Sequence, residues 1–178
     1  MDVILVFYRK IIAASLAGSL FAIVLGLFVP DPSADIGYSI LRYLSTVIIS
    51  IPAYLMYSFP VIFLYGGTTS ILSETLSRFI YRNQAKNAKE VVLSSILHVS
   101  FGLVFLVLNP LIAFLSVIAA VLFFTVDCYL RKRQATYRWT QALMSLEIPL
   151  AVWILFLGID YLIGLFHSLI TILQHTIN

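Results

Sequence analysis

Three ionisable side chains fall inside long apolar runs: His98, Glu147 and Asp160. Within a bilayer such residues cost at least ~2.5–3.5 kcal/mol on insertion scales, so each is a candidate for proton or ion handling. Glu147 is the strongest. It lies roughly a turn and a half inside an apolar run, and Pro149 follows it, leaving a nearby carbonyl without its donor. The plainer reading is a carboxylate that reaches back to the interface or pairs with Arg138 or Arg133. His98 falls at similar depth on a neighbouring segment, which allows a His98–Glu147 hydrogen bond. A neutral imidazole bonded to a backbone carbonyl is the ordinary alternative. Asp160 comes thirteen residues after Glu147, about 140° around a helix and near the opposite interface. The two acids therefore do not form one proton lane.

Other chemistries lack their residues. There is no HExxH, no GxSxG, no paired acidic motif, and no Walker or Rossmann glycine pattern. Gly66-Gly67-Thr68-Thr69 lacks the lysine and spacing of a phosphate loop. His98, His167 and His175 fall on separate elements without ligand spacing, and Cys128 is the single cysteine. The sequence thus predicts no catalytic activity, no cofactor and no metal site.

The elements that must hold these residues are apolar. Apolar types make up 61% of the 178 residues and charged types 11%, against roughly 45–50% and about 25% in soluble domains. Mean hydropathy is +1.03. The net charge of +3 comes from basic clusters beside apolar runs, a pattern of membrane orientation rather than nucleic-acid binding. The fold class read from this is an all-α membrane bundle forming a single transmembrane domain. Its five predicted spans lie near 11–29, 43–65, 91–108, 111–128 and 142–162.

The first span follows a short lead ending in Arg9-Lys10. Ala14, Gly18, Ala22 and Gly26 recur every four residues along it, a small-residue face of the kind membrane helices use for close packing. A connector with Asp31 and Asp35 leads to the second span. That span holds Pro52 and Pro60, and also Tyr54 and Tyr57, which either pack or line a path. Gly66-Gly67 is expected to break the helix.

Residues 68–90 are the one long stretch too polar to cross a bilayer. At 100° per residue Ile71, Leu72, Thr75, Leu76, Phe79 and Ile80 share one face, with Glu74, Arg78 and Arg82 opposite. This predicts an amphipathic helix on the cytoplasmic surface, its apolar face in lipid. Its basic residues Arg78, Arg82, Lys86 and Lys89 would face headgroups or a partner. Arg82–Glu90 reads as a loop or a fraying helix end. Asn109-Pro110 predicts a tight turn between the third and fourth spans. Near the end of the fourth, Asp127 is expected to pair locally with Arg131. Arg131, Lys132, Arg133 and Arg138 then form a second basic loop. Beyond the fifth span, the tail 163–178 is expected to leave the membrane near Gly158–Gly164 and lie along the outer surface or fold back.

With five spans, ten of the eleven basic residues fall on one side and only Arg42 on the other. The positive-inside rule places the N-terminus in the cytoplasm and the C-terminus outside. The junction Tyr65-Gly66-Gly67-Thr68-Thr69-Ser70-Ile71-Leu72-Ser73-Glu74 and the hairpin after it resemble uncharacterised small multi-spanning membrane proteins of Bacillus-type bacteria. These often carry a Tyr-Gly…Ser-Leu-Leu-Ser-Asp/Glu step. This chain differs at Gly67-Thr68-Thr69, where a Val-Pro-like step is usual, and in its fifth span. The resemblance implies a bacterial plasma membrane and brings no activity with it. The expected role is accessory, immunity or regulatory. It would be exercised through helix contacts with a membrane-protein partner or a second copy, and without nucleic acid. The alternative is an oligomeric transporter or channel subunit coupled through Glu147.

Overall fold

The computed structural model describes residues 3–30, 40–81, 88–133 and 136–177, and these are helical almost throughout. In chain order the helices are α1 (Val3–Phe28), α2 (Ile40–Val61), α3 (Gly67–Ile80), α4 (Ala88–Gly102), α5 (Pro110–Arg133), α6 (Trp139–Ser145) and α7 (Glu147–Ile177). A π-helical turn, Ile62–Gly66, joins α2 to α3, and a 3-10 turn, Leu103–Val107, ends α4. Among the described residues, five stretches are long and apolar enough to cross a membrane: Ile4–Phe28, Arg42–Ile80, Lys89–Val107, Pro110–Arg133 and Trp139–Gln174.

The bundle is built around α1. Its most apolar stretch is 61% buried, against 17–28% for the other four, and it packs against α2, α3, α5, α6 and α7. Small residues make this possible: Ala13, Ala14, Ser15, Ala17 and Ala22 are fully covered, so neighbouring backbones approach closely. A Cβ on Gly18 would come within 2.8 Å of Phe59, and one on Gly26 would overlap Ile51. Both neighbours belong to α2, which runs antiparallel to α1. The Ala14–Gly18–Ala22–Gly26 face is thus occupied within the chain. The end of α1 is closed by the same neighbour. Tyr43 and Tyr54 each donate a 2.6 Å hydrogen bond, to the carbonyls of Leu27 and Val29, and Ser50 donates to that of Pro30. Carbonyls left over at a helix end thereby find donors.

Two expectations about the chain path are corrected. Gly66-Gly67 does not break the helix: both residues adopt right-handed helical angles, and α2 runs through the π-turn into α3. Pro60 supplies the local reason, because a missing N–H disturbs the hydrogen-bond ladder and a one-residue π-bulge absorbs the defect. Nor does the chain fold back near Gly158–Gly164. Helix α7 runs unbroken for 31 residues, about 46 Å at ~1.5 Å per residue, and every residue from Tyr161 to Ile170 is exposed. Gly158 and Gly164 meet nothing within 4 Å. A lone glycine lowers helix propensity by about 1 kcal/mol, too little to stop a helix this apolar. The turn at Asn109-Pro110 has the predicted form. Pro110 opens α5, where its missing N–H costs nothing, and Asn109 Oδ1 accepts from the Leu111 N–H at 2.7 Å.

Candidate functional site

The face of α3 turned to the protein is its polar one. Thr69, Ser70, Ser73, Glu74 and Ser77 are buried, whereas Leu72, Leu76, Phe79 and Ile80 are exposed. The expectation of a surface helix whose Glu74 side faces headgroups or a partner is corrected, because that side packs into the bundle. The serines return their hydroxyls to the helix itself, Ser73 to Thr69 O at 2.7 Å and Ser77 to Glu74 O at 3.0 Å. They take little room, so α3 can approach α1 and α4.

The close approach brings Glu74 to Arg9 and Lys10 of α1, and α5 adds Asp127 from its own inward stripe Ala119–Phe123–Asp127–Leu130. Arg9 Nε donates to Asp127 Oδ1 at 2.8 Å and its Nη2 to Glu74 Oε2 at 2.8 Å. Lys10 Nζ reaches Asp127 Oδ2 at 2.6 Å, Glu74 Oε2 at 3.0 Å and Ser70 Oγ at 2.8 Å. Each cation therefore touches both carboxylates, closing a ring of alternating charge whose side chains are only 4–6% exposed. Arg78 extends the ring outwards. It pairs with the other Glu74 oxygen and lies 3.6 Å from Glu90 at the start of α4. Three cations face three carboxylates, so the cluster is neutral as a whole, which is the condition for burying charge. It ties together one end of the bundle: the starts of α1 and α4, all of α3, and the end of α5.

Asp127 is thus not the local partner of Arg131, as expected from their spacing. It points inwards to α1, while Arg131, Lys132 and Arg133 are exposed on the last turn of α5. There they complement the negative end of the helix dipole. Of the other basic candidates, Lys89 is exposed at the start of α4. Arg82 and Lys86 lie outside the described residues, as does most of the loop expected at Arg82–Glu90.

The three acid and histidine candidates are not brought together. Glu147 is exposed in the first turn of α7, where a carboxylate is favoured by the helix N-terminus. Among the described residues it pairs with neither Arg138 nor Arg133. Asp160 is half-buried on the same helix, about 20 Å away at ~1.5 Å per residue. His98 is buried against the rings of Phe123 and Phe124, with centroids at 5.4 and 6.5 Å. Its Nδ1 lies 3.5 Å from Thr69 Oγ1, and its Nε2 has no protein partner. The bond to Glu147 is not formed, whereas the expected backbone bond is present, to Thr69.

His98 borders a cavity of about 240 Å³ between α2 and the α4–α5 pair, backed by Phe21 of α1. Tyr54, Tyr57 and Tyr65 from the second span line it, together with Ser58 and Ser116. Tyr65 is fixed there by donating to Phe101 O at 2.7 Å and packing edge-on to Phe105. The π-turn that carries Tyr65 and Gly66 forms part of the wall. The floor, Thr69 and His98, adjoins the charge ring through the next residue of α3, Ser70.

Sequence reasoning missed Arg9, Lys10, Glu74 and Asp127 as a group. The available signal was charge bookkeeping: two adjacent cations open one apolar helix, and a lone acid lies within the apolar run of another. No protein family, curated protein or solved structure matches the chain.

Proposed function

We propose that this chain is a non-catalytic, multi-pass protein of a bacterial plasma membrane, with its N-terminus in the cytoplasm and its C-terminus outside. Its role is accessory, immunity or regulatory, exercised through contacts with a partner in the membrane. The single observation that carries this reading is the self-contained charge cluster. Arg9, Lys10, Glu74 and Asp127 saturate one another, which is how a bundle is locked rather than how a proton donor or nucleophile is presented. Five long apolar stretches support the membrane address. The exposed basic residues at the clustered end support the orientation, and the junction at Tyr65–Glu74 supports the bacterial setting. With the α1 seam occupied by α2, partner contact falls to the outer apolar surfaces.

The test is light cross-linking in the native membrane, purification in mild detergent and identification of what accompanies the chain. A stoichiometric second protein supports the reading. A homo-oligomer with no other protein favours the second reading, a small transporter or channel subunit. That reading draws on the cavity floor abutting the charge ring, and it makes Asp127 and Glu74, rather than Glu147, the coupling acids. Flux lost in Asp127→Asn protein that is shown to be folded and monodisperse, but retained in Glu147→Gln, is its signature.

A further inference from the structure

We propose that the cavity between α2 and the α4–α5 pair binds an uncharged, hydroxyl-bearing amphiphile taken from the bilayer, anchored by hydroxyl donation to His98 Nε2. Among the described residues two buried side-chain polar atoms lack a protein partner, Ser58 Oγ and His98 Nε2. Both residues line this one cavity. Elsewhere in the apolar helices hydroxyls turn back to the carbonyl four residues earlier, as in Ser15, Ser19, Ser73 and Thr75. Ser58 does not. A buried polar atom withheld from its own helix keeps an unmet hydrogen bond that an occupant of the cavity can satisfy.

The chemistry of that occupant follows from Thr69. Its hydroxyl proton is directed to Tyr65 O at 2.8 Å, so it offers His98 a lone pair. The Nδ1 facing it at 3.5 Å is then the N–H nitrogen, and Nε2 is the acceptor. The ligand must bring a donor. A carboxylate or phosphate ester brings none, and no charged side chain lines the cavity to balance it. An alcohol satisfies Nε2, and Ser58 can meet a second hydroxyl or accept from the same molecule. The rim explains the amphiphile. Tyr57 and Val61 in the middle of the second span are 73% and 50% exposed, and Ile112 is exposed opposite. The opening therefore faces sideways, where an acyl chain can run out into lipid. A volume of about 240 Å³ holds a glycerol-sized head and the first part of a chain.

The experiment uses the full chain in lipid nanodiscs and a monoacylglycerol with a photoactivatable diazirine in its acyl chain. Expected are saturable adducts on peptides containing Tyr57, Val61 or Ile112, displaced by unlabelled monoacylglycerol. The dimethyl ether of the same molecule and the fatty acid of the same chain length should compete roughly tenfold or more weakly. His98→Phe and Ser58→Ala should each weaken labelling, and His98→Gln, which keeps an acceptor, should recover part of it. Alcohol and ether are compared on the unaltered chain, so the outcome stands even if His98→Phe fails to fold. Equal competition by the ether overturns the proposal, as do adducts spread evenly over α7 and the other outer faces. Unsaturable labelling, meaning water alone in the cavity, overturns it too. The proposal shares with the proposed function only the membrane placement, which thiol labelling of Lys132→Cys and Gln174→Cys tests separately.

Discussion

Lys10 Nζ and Asp127 Oδ2 stand 2.6 Å apart although 117 residues of chain separate them. Replacing Asp127 by Asn leaves the buried ring with one positive charge in excess. Removing one partner of a buried pair costs about 3–5 kcal/mol, so Asp127→Asn should unfold much more readily in detergent. Adding Lys10→Met restores neutrality and should recover part of the loss. Thermal or denaturant unfolding of the two variants decides it, and a double variant no better than the single one would contradict charge balance as the cause.

The outer arm of the cluster should behave differently. Arg78 is 35% exposed, so solvent screens its pairing, and Arg78→Ala should cost about 0–1 kcal/mol and less still at high salt. Glu74→Gln, at the buried vertex, should cost several times more. Salt titrations of the two unfolding midpoints give the comparison.

Glycines separate packing from exposure. Gly26→Leu should destabilise the fold by about 1–3 kcal/mol, because the added side chain drives α1 off Ile51 of α2. Gly18→Leu should do likewise against Phe59. Gly158→Leu and Gly164→Leu, with nothing within 4 Å, should be neutral or slightly stabilising. Monodispersity and unfolding midpoints in detergent report this directly.

Orientation is checked in a Cys128→Ser background. A membrane-impermeant thiol reagent applied to intact cells should label Gln174→Cys and leave Lys132→Cys unlabelled until the cells are opened. The reverse pattern would invert the proposed topology.

How much of this was legible in the sequence varies by feature. Apolar run lengths are a direct record of helix count, and Asn109-Pro110 marks its turn by chemistry local to two residues. The direction α3 faces was not legible. Periodicity groups Glu74 with Arg78 and groups Leu72 with Leu76, Phe79 and Ile80, but says nothing about which group looks inwards. In water the apolar side goes in; against lipid the small polar side can. The hint was composition, since Thr69, Ser70, Ser73 and Ser77 are the small residues that membrane helices bury at contacts. Asp127 was misassigned because Arg131 is near in sequence, whereas Arg9 and Lys10 are near only in the folded bundle. Glu147 drew notice from its neighbours in the run, yet the turn at Leu146 sets it at a helix start, where an exposed acid is unremarkable.

The charge ring also imposes an order on biogenesis. Arg9 and Lys10 leave the ribosome early, Glu74 follows, and Asp127 is last. At about 5–20 residues per second the wait between Lys10 and Asp127 is roughly 6–23 s. Throughout that interval α1 carries two cations with at most part of their counter-charge. Until Asp127 arrives, the long stems let the two charged heads stay in water while α1 waits for its full set of partners. A nascent chain that lacks Asp127 therefore holds two cations against one carboxylate of the ring, and completion of α5 is what closes it.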